Sequence, residues 1–418
     1  MTKLNVNAPQ NAEVSKKLPC EKPLIVQLEI METYTKVHKA TAGLAKELRE
    51  IECLKVLYPT LFREIEDCDK IIGRLDFLPI GFGSVTSIGG VGYYCVFSKL
   101  LDFKNKFEDE NIKKRIDKLY EYWLKNDTKA LYCSDALQEN IIGAFIDCEY
   151  PLIATARLSG MMLDYHKLLD LGIGGLRALI EEHLKEDKNN NFYIASLKAL
   201  DLFVDCVEYL KDMVKRKIKT ADTKRKKELK LIYESLEIIK KDKPKSFHQA
   251  MQLFWLYALL AGVINYGRLD DYLGPFLKND LDNNVITEEE AISYMRSLWT
   301  LIENRRTTVN GRIIVGGKGR RNPETADLFT RLAIRVTREC KYVEPQFTLR
   351  FSKETPEDII DLALDSLGEG VTYPTLYNLY FSIKSSVPSP VTKDTVATFF
   401  CFPKIISEDF NSSFENDP

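Results

Sequence analysis

Chemistry in this chain has to come from a small inventory of side chains. Four histidines, at positions 38, 166, 183 and 248, never stand at metal-ligand spacing. The nine cysteines are scattered, odd in number and form no Cys-x-x-Cys pair, so neither a zinc ribbon nor a disulfide framework is supported. Most are expected to be buried, inert thiols. No metal site emerges. Five glycines between Gly81 and Gly92 permit positive φ and close backbone approach. That stretch reads either as a pocket-lining loop or as tight turns packed on helices. Thr86 stands where a dinucleotide-binding fingerprint needs its third glycine, and the Walker pattern is absent as well. Arg157 and Asp164 are polar residues in an apolar setting and need partners, either each other or a ligand, with mutual pairing the simpler reading.

The elements that must position these groups belong to a large globular protein. A length of 418 residues, 45% hydrophobic and 29% charged, allows two or three domains or one large α/β body. A net charge of −2 gives no electrostatic argument for nucleic acid or an anionic membrane. The first residues lack an apolar signal core, which makes the cytoplasm the default. Residues 211–245 hold 14 Lys/Arg against 6 acidic residues. Ile218, Leu229, Ile232, Leu236 and Ile239 fall close to helical spacing there, so the stretch reads as a solvated helical hairpin rather than a nucleic-acid patch.

Residues 31–70 read as one or two helices; further helices are expected over 107–125, over 135–148 and up to about Lys185. The stretch from Phe247 to Asn378 organises the rest. It opens with a helix over 247–262 that has no wet face, so it belongs inside a large protein. Its apolar run is shorter than the roughly 20 residues a bilayer requires. His248, beside the start of this helix, reads as a satisfied structural histidine. Ser246 with Gln249, and Thr287 with Glu290, have the spacing of capping boxes. Asn322-Pro323 and Thr355-Pro356 each place a cap residue before a proline suited to the first helical position. Ile313–Val315, Gln346–Phe351 and Val371–Tyr373 are short and rich in β-formers, and their alternation with helices predicts parallel strands with helical crossovers.

Several ordered motifs in this stretch resemble one family. Gly267-Arg-Leu-Asp270 with Tyr272, Leu273 and Pro275, the run Gly311-Arg-Ile-Ile-Val-Gly-Gly-Lys-Gly-Arg320, the strand Pro345–Arg350 and the segment Gly368–Asn378 resemble the pyruvate formate-lyase domain of glycyl radical enzymes. Leu168–Leu176 fits the same family's mid-domain pattern. The resemblance implies a helix-rich α/β fold, the N-terminal half of a ten-stranded α/β barrel built from two five-stranded parallel halves. It also implies radical chemistry under anaerobic conditions. A glycyl radical, installed by a radical-SAM activating enzyme, passes to a cysteine on a loop inside the barrel. The thiyl then removes a hydrogen atom from a small-molecule substrate. Such chemistry needs exclusion of water and oxygen more than acid–base strength. By motif position, the resemblance points to Arg157, Ser159, Tyr266, Arg350 and Asn378 as pocket-facing. Arg268, Asp270, Arg312 and Arg320 have a second reading, as ion pairs tying crossover loops together.

The departures from the family pattern shape the expectation. Neither Gly-Cys-x-Glu nor Arg-Val-x-Gly-Tyr occurs in the sequence. The family's pocket histidine has no counterpart, because Gly160–Tyr165 occupies that region. Cys401 lies 23 residues beyond Asn378, where the family cysteine would fall, without the flanking glycine and glutamate. The domain reading is a flexible N-terminus at 1–20, a truncated pyruvate formate-lyase-like domain at 21–378 and a divergent tail at 379–418. The functional expectation is the N-terminal portion of a glycyl radical lyase or dehydratase, inactive alone; a non-catalytic binding or interaction protein is the alternative. Expected partners are the missing C-terminal half, an intact homologue, the activating enzyme or a second copy of the chain. An open parallel sheet leaves strand edges that invite such association.

Overall fold

The computed structural model describes residues 20–82, 92–135, 162–305 and 311–378. Arg157, Ser159 and Cys401 lie outside these residues, as do most of the 135–148 segment, the glycine-rich loop from 83 to 91 and the two ends of the chain. The architecture is a helix-rich α/β body around one four-stranded parallel sheet. Its strands are β3 (Asn265–Arg268), β4 (Arg312–Gly316), β5 (Gln346–Phe351) and β6 (Thr375–Asn378), in that spatial order. Helices Leu269–Asp282 and Glu288–Asn304 make the first crossover, Pro323–Cys340 the second and Glu357–Gly368 the third. A small antiparallel pair, β1 (Ile80–Phe82) and β2 (Tyr93–Cys95), flanks the glycine-rich loop.

Two sequence expectations shift. The last strand begins at Thr375, not at Val371. Gly370 takes positive φ, Val371 N–H returns to the Ser366 carbonyl, and the Ser366 hydroxyl donates to the Tyr373 carbonyl. Pro374 then has no N–H to give, so the ladder starts one residue later, with Thr375 opposite Thr348. Asn265–Arg268, a polar stretch with no strand signal, forms β3 because Arg312 and Ile314 offer it a ladder partner. Caps also vary. Thr287 and Glu290 form the reciprocal box, with Glu290 N–H on the Thr287 hydroxyl at 3.2 Å and Thr287 N–H on the Glu290 carboxylate at 2.9 Å. Ser246 accepts from Gln249 N–H, but the Gln249 side chain accepts from Lys245 N–H instead of Ser246. Asn322 caps the helix that Pro323 opens, accepting from Thr325 N–H. At the third crossover the cap is Pro356 itself; the Thr355 hydroxyl accepts from Ser352 N–H and is no longer available.

Helix Phe247–Leu260 is the centre of the molecule, with all but Gln249, Tyr257 and Leu260 buried. Three of its buried polar side chains, His248, Gln252 and Trp255, bond to the backbone of one loop, residues 70–73. Gln252 brackets Ile72, accepting from its N–H at 3.0 Å and donating to its carbonyl at 2.8 Å. Trp255 Nε1 donates to the Gly73 carbonyl at 2.8 Å. His248 donates from Nε2 to the Lys70 carbonyl at 2.9 Å and accepts at Nδ1 from Ser235, and burial lowers its pKa to about 4. The satisfied structural histidine read from the sequence is what the fold contains. The basic stretch forms two helices, Asn191–Thr220 and Thr223–Ile239. Leu229, Ile232, Leu236 and Ile239 are buried, and Lys211 and Lys240 are paired with Glu208 and Glu237. Cys20, Cys53, Cys95 and Cys206 are buried, and burial raises the pKa of each thiol, which suits inert packing groups. No helix of the described residues is long and apolar enough to cross a membrane.

Candidate functional site

The alternation of a β-strand sends successive side chains to opposite faces, and parallel neighbours in register share a face. One face of the sheet is apolar. Ile313 lies beside Phe347 and Val315 beside Leu349, all fully buried, with Trp299 of a crossover helix 6.2 Å from the Phe347 ring. The opposite face is polar. Its first row is Asn265, Arg312 and Gln346; its second is Arg268, Ile314, Thr348 and Thr375; its third is Gly316, Arg350 and Tyr377. Gln346, Thr348 and Tyr377 are half-buried, so this face is reachable rather than sealed.

At the C-terminal ends of β3 and β4 the rows are locked by a buried acid. Asp270 opens the helix after β3 and accepts from Gly316 N–H at 2.8 Å. Arg268 approaches it at 3.7 Å and Arg320 at 4.0 Å, while Arg320 also pairs with Asp327. Arg268 donates to the Gly316 carbonyl at 2.9 Å and to the Lys318 carbonyl at 3.3 Å. Burial pushes the Asp270 carboxyl up to about 6, against the pull of the two guanidinium groups. Gly316 sits at positive φ, and a Cβ there would meet the Arg350 carbonyl, so only glycine lets the two strands close at this point. Next door, Asp271 accepts from Arg321 N–H at 2.7 Å and lies 2.9 Å from His166 Nε2. Asp270 therefore ties the β3 and β4 loops together, as the second reading of these charges expected. Arg312 stands apart from that cluster, at the other end of β4.

The remaining sequence candidates fall on both sides. Arg350 lies on the polar face, in register with Gly316 and Tyr377. Tyr266 sits at the bulge of β3 and turns to the helix layer, 6.0 Å from Phe254 and 6.2 Å from Trp255, with its hydroxyl accepting from Arg305 at 2.9 Å. Asn378 ends β6 opposite Phe351, one position out of phase with Arg350 and Tyr377. Motif position alone did not find Asn265, Gln346, Thr348 and Tyr377. The alternation Gln-Phe-Thr-Leu-Arg-Phe in β5 carries the signal for two of them, while Asn265 needed β3 to be recognised as a strand. Among the described residues no group of three or more His, Cys, Asp or Glu side chains is arranged to hold a metal ion.

The family model described as pyruvate formate lyase-like matches residues 5–402. The chain belongs to the pyruvate formate lyase-like family. Among curated family relatives, it is 23% identical over 310 residues to trans-4-hydroxy-L-proline dehydratase of Clostridioides difficile, covering 67% of this chain and 39% of that protein. It is 25% identical over 301 residues to (2S)-3-sulfopropanediol dehydratase of Klebsiella oxytoca, covering 67% of this chain and 36% of that protein. The fold matches the glycerol-bound B12-independent glycerol dehydratase of Clostridium butyricum with a TM-score of 0.70 at 21% identity, over 88% of this chain and 52% of that one. A glycyl radical enzyme of Archaeoglobus fulgidus gives a TM-score of 0.68 at 20% identity, over 87% and 52%. The chain thus spans about half the length of the pyruvate formate lyase-like barrels it matches and under two fifths of these curated relatives.

Proposed function

We propose that this chain supplies the N-terminal half-barrel of a glycyl radical lyase or dehydratase that acts on a small polar metabolite. The observation that carries this reading is the division of one sheet into an apolar helix-covered face and a polar face bearing Asn265, Arg312, Gln346, Thr348, Arg350 and Tyr377. A face that served only packing has no reason to carry arginines and amides in successive rows, since buried polar groups cost free energy unless they are bonded. Guanidinium and amide groups suit an oxygen-rich substrate, an acid or a polyol, which they orient through directional hydrogen bonds. In this reading Arg350 is joined at the pocket by Arg157 and Ser159, while Tyr266 serves the helix layer and Asn378 ends β6 one position out of phase; Cys401 is the one candidate for the thiyl position. The chain alone is inactive, because its sequence holds neither a Gly-Cys-x-Glu loop nor a radical glycine motif. The rest of the barrel comes from further polypeptide, and the radical is installed by an activating enzyme in an anaerobic cytoplasm.

The test is electron paramagnetic resonance on the purified chain, incubated anaerobically with a radical-SAM activating enzyme and S-adenosylmethionine. The chain alone is expected to show no glycyl doublet, and a doublet from it would overturn the reading. In a second arm the chain is mixed with a C-terminal half carrying both missing motifs. Restored turnover supports the enzyme; tight ligand binding without turnover in that mixture favours the non-catalytic binding protein instead.

A further inference from the structure

The basic hairpin carries more charge than its fold uses. A cavity of about 530 Å³ is lined on one side by the turn between helices Asn191–Thr220 and Thr223–Ile239, and on the other by Asp67 and Lys70 of the loop that braces the central helix. Two of its cations are committed. Lys70 pairs with Glu228, and Arg225 donates to Glu228 at 2.9 Å, to the Asp69 carbonyl at 2.7 Å and to the Glu66 carbonyl at 2.9 Å. Asp222 accepts from Arg225 N–H at 2.9 Å, so the start of the second helix is already capped. Lys217, Lys224 and Asp67 are left over, and among the described residues none of their side chains has an ion pair or a hydrogen bond. Lys219, Lys226, Lys227 and Lys230, on the same two helix ends, are exposed and unpaired as well.

This arrangement costs stability. Helix Thr223–Ile239 has no acid in its first turn, and Lys224, Arg225 and Lys226 stand there against the helix dipole. Lys224 with Lys227, and Lys226 with Lys230, add like-charge repulsion at three- and four-residue spacing. A face kept only for solvation needs no such conflict, and a local rule broken at a cost marks a functional place. The cations themselves say what fits. The free ones are all lysines, compact point charges suited to phosphate, whereas the forked recognition of carboxylates belongs to arginine and Arg225 is already engaged. Lys217 and Lys224 come from opposite sides of the turn, so a ligand charged at both ends compensates both. Among the described residues the lining holds no aromatic ring on which a base could stack, and its volume is that of an ordinary small-molecule site.

We propose that the cavity at the hairpin turn binds a compact polyanion of the diphosphate type, held by Lys217 and Lys224. The site stands independently of radical chemistry and of the polar face of the sheet. Its test uses the full chain in sodium gluconate, titrated at constant pH and ionic strength with sodium pyrophosphate in one arm and sodium orthophosphate in the other. Melting temperature is the readout. A saturable rise is expected with pyrophosphate, at concentrations about tenfold or more below those that orthophosphate needs, because only the longer ion meets both lysines. Lys217→Gln and Lys224→Gln should each weaken the apparent affinity by about threefold or more, and the double variant by about tenfold or more, as expected for lost charge contacts near solvent. Asp67→Asn removes the one uncommitted acid of the lining and should tighten binding. Lys243→Gln, in the same basic stretch but outside the cavity, should leave it unchanged. The lysines make no contacts within the fold, so Lys224→Gln should melt no lower than the wild type in gluconate alone. Equal affinity for the two phosphates, no saturable rise, or unchanged affinity in the double variant overturns the proposal.

Discussion

The two faces of the β3–β6 sheet are made from the same strands and teach different things. On one face Ile313, Val315, Phe347 and Leu349 are fully buried beneath the crossover helices. One residue out of phase, Gln346 and Thr348 are half-buried and polar. In a doubly covered parallel sheet both faces would read as a continuous apolar run. Here β5 alternates instead, so stability and recognition are written on opposite sides of a six-residue strand. Substitutions on one face should move the folding equilibrium, and those on the other should leave it nearly untouched.

The largest effect belongs to the covered face. Phe347→Ala removes a fully buried ring that packs on Trp299, and is expected to cost about 3–5 kcal/mol of stability through lost burial and the cavity left behind. Urea unfolding followed by far-UV circular dichroism measures it. A loss below about 1 kcal/mol, the range of a surface change, would mean that this face is not the core.

How much of this was legible beforehand follows from what each residue depends on. Helix 247–260 announces itself, because a run from Phe247 to Leu260 with no wet face can only be buried. The Thr287 cap and the basic hairpin are equally local, each decided within a few residues of itself. β3 was not legible. Asn-Tyr-Gly-Arg has no strand propensity, and it becomes a strand because Arg312–Ile314 arrives beside it from more than 40 residues away. Tyr266 shows the same limit within a site: its motif position is fixed by sequence, but the bulge between Asn265 and Gly267 decides which side it faces. Partners of the helix's polar residues were hidden for a related reason. Gln252 and Trp255 are bonded to the backbone of Ile72 and Gly73, where side-chain types leave no trace.

Acid sharpens the comparison, because titratable groups on the two sides respond with opposite sign. His248, in the helix layer, has a folded pKa of about 4, below the roughly 6.5 of an unfolded histidine. The unfolded chain therefore binds more protons between these values. The stability from neutral His248 is complete above about pH 6.5 and is lost as pH falls towards 4, a term on the order of 3 kcal/mol. Asp270, beside the polar face, is raised to about 6 from an ordinary value near 4. Its contribution is complete at low pH and is lost as pH rises through 6. Unfolding free energies of the wild type and of His248→Gln, taken at pH 7, 5.5 and 4.5, should therefore converge on acidification, since only the wild type has this histidine to protonate. Parallel curves would show that His248 is charged in the folded protein or reached by water.

The smallest effect is expected on the polar face, and its smallness is the point. Thr348→Val keeps the β-branched shape that a strand favours and exchanges only a hydroxyl for a methyl on a half-buried surface. The expected change in stability is within about 0.5 kcal/mol by urea unfolding, as for surface substitutions away from packed features. The neighbouring change Leu349→Thr makes the converse exchange at a fully buried position, one residue along the same strand. It should cost about 2–3 kcal/mol, because apolar burial is lost and a hydroxyl enters the core. If Thr348→Val destabilises the chain as much as Leu349→Thr does, the polar face is packed against something in the folded chain and is not a surface kept for a ligand. If it is neutral in the chain alone yet lowers turnover once the rest of the barrel is supplied, the hydroxyl acts on substrate and not on the fold.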